Sequence, residues 1–368
     1  MAKAQNILDR AWDDALSGKT DDALRTAIAI VEAGSDQLSA VALLVRLLGE
    51  LGRAEPAEKA CDPLVRAMVR RGDLPGAVAV AARAKKSGGK LRKHIAATFG
   101  KGSARVEDVP PAPPALPPQV AIGPELAGAS RPALLDRAEK ALAAFTAWKD
   151  PIPEGSVPGL PLFSALTPAA LERFLGALTT RTLREGEHCL DEGSEGKEAF
   201  VVVGGTLRAE RASKDDDAPT VLAVLGPGAI FGEMALVSDA PRAASVLALE
   251  PVELLVASRV DLETLAAGEP VIGEELGRFC RGRMIANLVR TSTILSAAPP
   301  EERAALMARF EPRHFEPGAT LLTRAVKAVN LYVTTSLERW QSQNLFADVS
   351  GTEACNRSWI SFAPLPIK

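Results

Sequence analysis

An arginine, a glutamate and several small residues lie close together in residues 231–246. The guanidinium of Arg242 is suited to a phosphate group that must leave water, with backbone N–H groups helping to hold the charge. The carboxylate of Glu233 can accept a hydrogen bond from a sugar hydroxyl. Gly232 and the neighbouring alanines allow the backbone to approach a ligand closely. The segment therefore suits a cyclic phosphodiester that carries a ribose hydroxyl.

The same segment resembles the phosphate-binding cassette of the cyclic nucleotide-binding domain family, in particular that of regulatory subunits of the cAMP-dependent protein kinase. Leu162–Pro168 resembles the entry to that domain, and the glycine spacing that follows resembles its barrel. The resemblance implies that Glu233 holds the ribose 2′-hydroxyl and that Arg242 pairs with the cyclic phosphate. The ligand-binding residues that it implies are Gly232, Glu233, Met234, Ala235, Leu236, Arg242, Ala243, Ala244 and Ser245.

The residue after the arginine bears on the choice of base. In the family, threonine at this position accompanies a preference for cGMP, whereas this chain has Ala243, which favours cAMP with cGMP as the second candidate. A residue from the helix after the barrel usually covers the base, and Phe279 and Met284 are two candidates. Alternatively, the domain keeps the shape of the cassette without binding, and Glu233 and Arg242 form only a structural ion pair.

The elements that must position these residues are short strands separated by glycines. Residues 160–292 predict a small antiparallel β-barrel, jelly-roll-like, with a helix at Pro168–Leu178 before it and a helical stretch from Asp261 towards Arg290 after it. A break in that stretch is expected near Gly268–Pro270. The strands are predicted at 181–184, 187–191, 198–203, 206–211, 220–225, 244–249 and 252–257.

Residues 1–100 predict an all-α region, so that the chain as a whole is of the α+β class. Apolar residues recur at helical spacing in Ile7–Leu16, Ala23–Ala33, Leu38–Leu51, Ala57–Val69 and Ala77–Ala84. The segments that begin at Gly18 and Gly52 align 34 residues apart, which is the period of tetratricopeptide repeats. A tetratricopeptide-like array and a generic helical bundle both remain open, and either would offer a protein-docking surface.

Two connecting regions separate the helical part from the barrel. Residues 101–131 contain a proline-rich stretch and predict an extended linker. Residues 132–159 predict a helix, with Ser130 as its N-cap, followed by a connector.

Residues 293–368 predict an incomplete second copy of the same domain. Residues 295–322 align without a gap to 163–190, including Pro168 with Pro300 and Gly186 with Gly318. The same offset places a second cassette at about residues 363–378, beyond Lys368. The composition also changes after Leu331. We therefore expect a frameshift or truncation near residue 335, with a naturally short, divergent domain as the alternative.

The overall composition excludes several classes of protein. The formal net charge of −3 provides no general attraction for nucleic acid or membranes, and apolar runs are too short to span a bilayer. The four scattered cysteines favour reduced thiols and a cytoplasmic location, and the three separated histidines form no metal-binding pattern. We find no catalytic motif and expect no enzyme activity and no cofactor.

The sequence thus predicts a cyclic-nucleotide sensor, for cAMP in the first place, that regulates a protein partner through helix rearrangement and its N-terminal helices. The first alternative is a scaffold with a silent domain. A cAMP-responsive transcription factor is less favoured, because the second repeat occupies the place of a helix-turn-helix.

Overall fold

The computed structural model describes residues 7–34, 37–108, 120–212, 218–237 and 241–291, with residue 299 and three short strands beyond it. Within these ranges, none of the helices combines the length and the apolar character needed to cross a membrane. The helices are α1 Ile7–Leu16, α2 Thr20–Ala33, α3 Leu38–Glu50, α4 Ala54–Arg70, α5 Leu74–Arg83, α6 Gly88–Phe99, α7 Pro124–Ala127, α8 Arg131–Ala147, α9 Pro168–Gly176, α10 Arg259–Gly268 and α11 Pro270–Thr291. Two 3-10 turns lie at Phe163–Ala165 and Glu233–Leu236.

The strands are short, and most of them follow α9. They are β1 Val106–Glu107, β2 Val157–Pro158, β3 Thr179–Leu183, β4 His188–Leu190, β5 Glu198–Gly204, β6 Leu207–Arg211, β7 Thr220–Leu225, β8 Ile230–Phe231, β9 Ser245–Ala248 and β10 Val252–Ser258. The segment that was predicted to be a linker thus contains β1, which pairs with β2 in parallel, and the short helix α7.

The N-terminal region is all-α, as predicted. Helices α1 to α6 follow one another, and each contacts the next. Gly18, Gly52 and Gly72 lie in the turns with positive φ values, a conformation that costs glycine little. The sequence analysis missed α6, whose first residues are two glycines and whose basic residues obscure the apolar spacing. The tetratricopeptide-like character of the array stays a prediction.

Helix α8 packs back onto the array, where it contacts α2, α3 and α4. Leu134, Ala138, Leu142 and Phe145 form its buried stripe. On the outer side, the guanidinium of Arg137 donates two hydrogen bonds to a carboxylate of α2, at 2.7 and 2.9 Å. Ser130 is the N-cap residue, as predicted, but its side chain makes no capping hydrogen bond. The segment after the linker is therefore part of the helical body.

The β-region consists of two four-stranded antiparallel sheets with the orders β3-β10-β5-β8 and β4-β9-β6-β7. A small antiparallel, jelly-roll-like barrel was predicted. Among the described strands the ladder does not continue from one sheet to the other, so this description is approximate. The inner side chains of both sheets form one apolar cluster. In this cluster the rings of Phe200 and Phe231 stack, with 5.1 Å between their centroids. The two-residue strand β8 is too short for a pattern of alternation, and the sequence analysis missed it.

Side chains of β5 alternate between two hydrophobic clusters. Phe200 and Val202 face the space between the sheets, whereas Ala199 and Val201 belong to the cluster formed with the helices. Helix α5 packs on this outer face, against β3 and β5. The helical region and the first sheet therefore share a continuous apolar core.

An ion pair between Arg83 of α5 and Glu253 of β10 also lies at this contact, and both side chains are largely buried. We call the contact of α5 with the first sheet, including this pair, the seam.

The helical stretch after the barrel breaks where it was predicted to break, since α10 ends at Gly268 and α11 begins at Pro270. Most of the predicted second copy and the proposed frameshift lie outside the described residues. The structure describes only three strands there, β11 Phe310–His314, β12 Tyr332–Thr334 and β13 Ser358–Phe362, which pair antiparallel in the order β11-β13-β12.

Candidate functional site

The predicted cassette begins where β8 ends. Phe231 pairs with Phe200 of β5, and Gly232 then adopts a left-handed conformation with φ of 71°. This residue caps the 3-10 turn Glu233–Leu236. The first N–H groups of such a turn have no carbonyl partner within the turn itself, so they are available to an anion. The glycine is therefore needed for the change of direction that exposes them.

Arg242 lies inside the domain, with only 8% of its surface exposed. One terminal nitrogen donates to the carbonyl of Gly232 at 3.0 Å, and the other donates to the carbonyl of Glu198 at 2.9 Å. Its Nε atom is buried and has no hydrogen-bond partner. Burial lowers the pKa of the guanidinium, while Glu198 and Glu233 act in the opposite direction. A buried cation held by carbonyl groups and left partly unsatisfied is a strong binding group for an anion.

Glu233 is also buried, at 5% exposure, but its carboxylate pairs with α11 rather than with Arg242. Nε of Arg283 lies 3.3 Å from Oε1 of Glu233, and another nitrogen of Arg283 donates to the carbonyl of Ile230 at 3.0 Å. The Sγ of Cys280 lies 3.5 Å from the carbonyl of Glu233, and burial raises the pKa of this thiol to about 12. Helix α11 therefore contacts Glu233 at its side chain and its carbonyl, and Ile230 just before the turn. The ion pair of Glu233 with Arg242, which belonged to the non-binding alternative, is not the one observed.

The other predicted site residues line both ends of the cassette. Ala235 and Leu236 are buried and anchor the turn, while Met234 is half-buried. After Arg242, Ala243 is exposed and Ala244 is half-buried. These positions place small side chains around the arginine, in keeping with a close backbone approach.

Ser245 begins β9, and its Oγ accepts a hydrogen bond from the N–H of Glu192 at 2.9 Å. The proton of the hydroxyl remains available to a ligand. The carbonyl of Ala243 accepts a hydrogen bond from Arg211 of β6 at 3.1 Å. A polar rim therefore borders the cassette on the side of the second sheet.

Of the two residues predicted to cover the base, the structure describes the side chain of Phe279 only. Phe279 packs in an apolar space behind the cassette turn, together with Val201, Leu236 and Leu276. The side chain of Met284 lies outside the described residues. In this arrangement Phe279 supports the turn from behind.

Sequence reasoning missed Arg283 and Arg211. Both are arginines among many, and their roles depend on how α11 and β6 pack against the cassette. Among the described residues, no cluster of histidine, cysteine, aspartate or glutamate could hold a metal ion, and Cys61, Cys189 and Cys280 are free thiols. Cys355 lies outside the described part of the chain.

Comparison with known proteins agrees with this geometry. Residues 180–269 match the family model of the cyclic nucleotide-binding domain. The chain is similar to the cyclic AMP receptor protein of Thermus thermophilus, with 32% identity over 34% of this chain and 58% of that protein. It is also similar to a cyclic nucleotide-gated potassium channel of Mesorhizobium japonicum, with 37% identity over 32% of this chain and 31% of the channel.

A third relative is the cAMP-dependent protein kinase regulatory subunit of Yarrowia lipolytica, with 27% identity over 48% of this chain and 44% of that protein. The chain thus spans less than two thirds of the length of each of these relatives. The family match at residues 180–269 contains the buried Arg242 and the cassette turn. The two antiparallel sheets with their flanking helices, and the family match at residues 180–269, identify this part of the chain as a cyclic nucleotide-binding domain.

Proposed function

We propose that this domain is a cyclic-nucleotide sensor, with cAMP as its preferred ligand. The observation that carries the proposal is the buried guanidinium of Arg242, whose Nε atom has no partner, beside the turn that begins at Glu233. A cyclic phosphate at this position would pair with the guanidinium and accept hydrogen bonds from the N–H groups of the turn.

The preference for cAMP rests on the methyl side chain of Ala243. This residue is exposed and has no hydroxyl group with which to recognise a guanine. The exchange of a single hydrogen bond is worth about 0.5–1.5 kcal/mol, so we expect cGMP to bind more weakly but measurably.

Ligand binding and the position of α11 are linked through Glu233. In the structure this carboxylate is engaged by Arg283, so a ribose hydroxyl that binds to it must compete with α11 or share the group. A ligand that shifts α11 towards one position is bound more tightly when the helix already occupies that position. We propose that this coupling regulates a protein partner in the cytoplasm, and that the N-terminal helices, which share a core with the first sheet, carry its docking surface. Nucleic acid, membrane and catalytic roles are not part of the proposal.

The experiment is a thermal unfolding series of the full chain with cAMP, cGMP and linear AMP at equal concentration. A ligand that binds only the folded state at a hundred times its Kd adds about 2.7 kcal/mol to stability. We expect the largest rise in Tm with cAMP, a smaller rise with cGMP and almost none with AMP.

The movement of α11 is measured by hydrogen exchange on the same samples. We expect cAMP to change the exchange of backbone amides in α11 by more than the uniform slowing that its global stabilisation gives to core amides, for which α3 is the reference. If none of the nucleotides raises Tm at millimolar concentration, the chain is a scaffold with a silent domain.

A further inference from the structure

Gly196 lies in the turn between β4 and β5, directly against the guanidinium of Arg242. A Cβ atom placed on this glycine would lie 2.3 Å from Nη2, 2.6 Å from Nε and 2.7 Å from Cζ of the arginine. Real Cβ contacts essentially never fall below 3.0 Å. The guanidinium therefore fills the space that a side chain at residue 196 would occupy.

The backbone conformation does not explain the glycine. Gly193, in the same turn, has φ of 77° and open space around its missing side chain. Gly196 is not among the residues with positive φ, so its backbone is open to any residue. Gly193 is therefore explained by the backbone conformation of the turn, whereas Gly196 is explained by the space that Arg242 needs.

The same turn also holds the backbone of Arg242. The N–H of Gly193 donates to the carbonyl of Arg242 at 2.8 Å, and the N–H of Arg242 donates to the carbonyl of Ser194 at 2.8 Å. These two bonds fix the Cα position of the arginine relative to the turn. Because these bonds hold the turn against the backbone of Arg242, the clash of an added methyl group at residue 196 falls on the guanidinium, which is the end of a flexible side chain.

We propose that Gly196 is a positioning residue that holds the guanidinium of Arg242 in its binding orientation. The proposal rests on the proposed function only in assigning the cyclic phosphate to Arg242. Any side chain at position 196 displaces the guanidinium from the carbonyl groups of Gly232 and Glu198. The arginine then loses the orientation in which its two terminal nitrogens are held by these carbonyl groups.

The first test measures the position of Arg242 without nucleotide. Wild type and Gly196→Ala are labelled with phenylglyoxal, which modifies accessible arginines, and the extent of labelling at each arginine is read by mass spectrometry. We expect Arg242 to be protected in wild type and labelled at least fivefold faster in the variant. Arg83, buried in the seam, serves as the internal reference for global unfolding.

Gly226→Ala is the matched control. Gly226 precedes β8, has no positive φ and has nothing within 4 Å of its missing side chain. This control should leave the labelling of Arg242 unchanged. Equal protection of Arg242 in wild type and in a folded Gly196→Ala protein overturns the proposal.

A second measurement covers the case in which Gly196→Ala folds but is destabilised. The Tm of wild type, Gly196→Ala, Arg242→Ala and the double variant is compared. A methyl group that clashes with the guanidinium lowers Tm when Arg242 is present and has little effect when Arg242 is alanine. An equal loss of Tm in both backgrounds shows that Gly196 serves the fold alone and contradicts the proposal.

A third measurement is the cAMP affinity of the same four proteins by calorimetry. We expect at least a tenfold loss for Gly196→Ala and no further loss when the substitution is added to Arg242→Ala. If wild type binds no cAMP, the proposed function fails, while the labelling and the Tm comparison still decide the role of Gly196.

Discussion

The seam and the cassette each bury a glutamate and an arginine, but they do so in opposite ways. In the seam, Glu253 and Arg83 pair with one another between β10 and α5. In the cassette, Glu233 and Arg242 lie near one another without pairing, and each is held by other groups. A buried pair that satisfies itself needs no ligand, whereas a buried cation held by carbonyls and with one nitrogen unsatisfied has capacity left for an anion.

The arginines that pair with the two glutamates also differ in how far they are exposed. Arg83 is packed in the continuous core that joins the helices to the first sheet. The partner of Glu233 in the cassette, Arg283, is nearly half-exposed and lies on a helix that reaches the cassette from outside. Buried charge alone does not distinguish a structural site from a binding site, whereas the exposure of the partner and the number of satisfied hydrogen-bonding groups do.

The largest effect is expected from removing the seam arginine. Arg83→Ala leaves Glu253 buried without its partner, and breaking such pairs costs about 3–5 kcal/mol. Urea unfolding should show this loss, while calorimetry at a temperature where the variant is folded should show unchanged cAMP affinity. A loss of affinity as large as the loss of stability would show that the seam belongs to the binding site.

A pH-dependent effect is expected at Asp73, which precedes α5 and accepts a hydrogen bond from the N–H of Gly76 at 2.8 Å. Burial, and to a smaller extent the charge of Glu253, raises the pKa of this carboxyl group from 3.8 to about 6. The folded state therefore favours the protonated form. Its contribution to stability is complete below pH 3.8 and is lost as the pH rises through about 6.

Asp73→Asn keeps the capping oxygen and removes the charge. At pH 8 we expect the variant to be more stable than wild type by at most about 3 kcal/mol, with the difference vanishing near pH 4. Urea unfolding at pH 4, 6 and 8 measures it. A variant that is less stable at pH 8 than wild type would contradict the assignment.

A smaller effect is expected from freeing Glu233. The pair with Arg283 is partly exposed, and such pairs are worth about 0.2–1 kcal/mol. Arg283→Ala should therefore increase cAMP affinity by up to about fivefold, because the ribose hydroxyl no longer competes for the carboxylate. Arg281→Ala, an exposed arginine on the same helix, removes the same charge and should leave the affinity unchanged. Weaker binding by Arg283→Ala would show that Arg283 assists the ligand.

An effect of similar size is expected at Ser245. Its hydroxyl oxygen accepts one hydrogen bond from the backbone of Glu192, and such a bond contributes about 0.5–1.5 kcal/mol. Ser245→Ala should lower stability in urea by this amount and weaken cAMP binding only a few-fold. A loss of affinity as large as that expected for Arg242→Ala would move Ser245 to the centre of the site.

The cassette could be predicted from the sequence because Gly232, Glu233 and Arg242 lie in one short segment, so their spacing is visible without the fold. The break of the last helix could be predicted for the same reason, since Gly268 and Pro270 are local signals. Most strands were predicted near their observed positions from the alternation of β-branched residues and glycines.

What could not be predicted depends on contacts between distant segments. Arg283 meets Glu233 only because α11 packs against the cassette turn, and Gly196 meets Arg242 only because the β4–β5 turn is hydrogen-bonded to the segment before β9. The division of the described strands into two sheets could not be predicted, because strand spacing gives the number of strands and not the order in which they pair. The seam joins residues of α5 and β10 that are 170 positions apart, and no local pattern carries that information.

The most direct test of the central claim is calorimetric titration of the full chain and of Arg242→Ala with cAMP. The account predicts that wild type binds cAMP and that the variant, still folded, loses about 2–5 kcal/mol of binding free energy, because a charge-assisted contact in a desolvated site is removed. Binding of equal strength by both proteins would contradict the role of Arg242, and no binding by wild type at millimolar cAMP would contradict the proposed function itself.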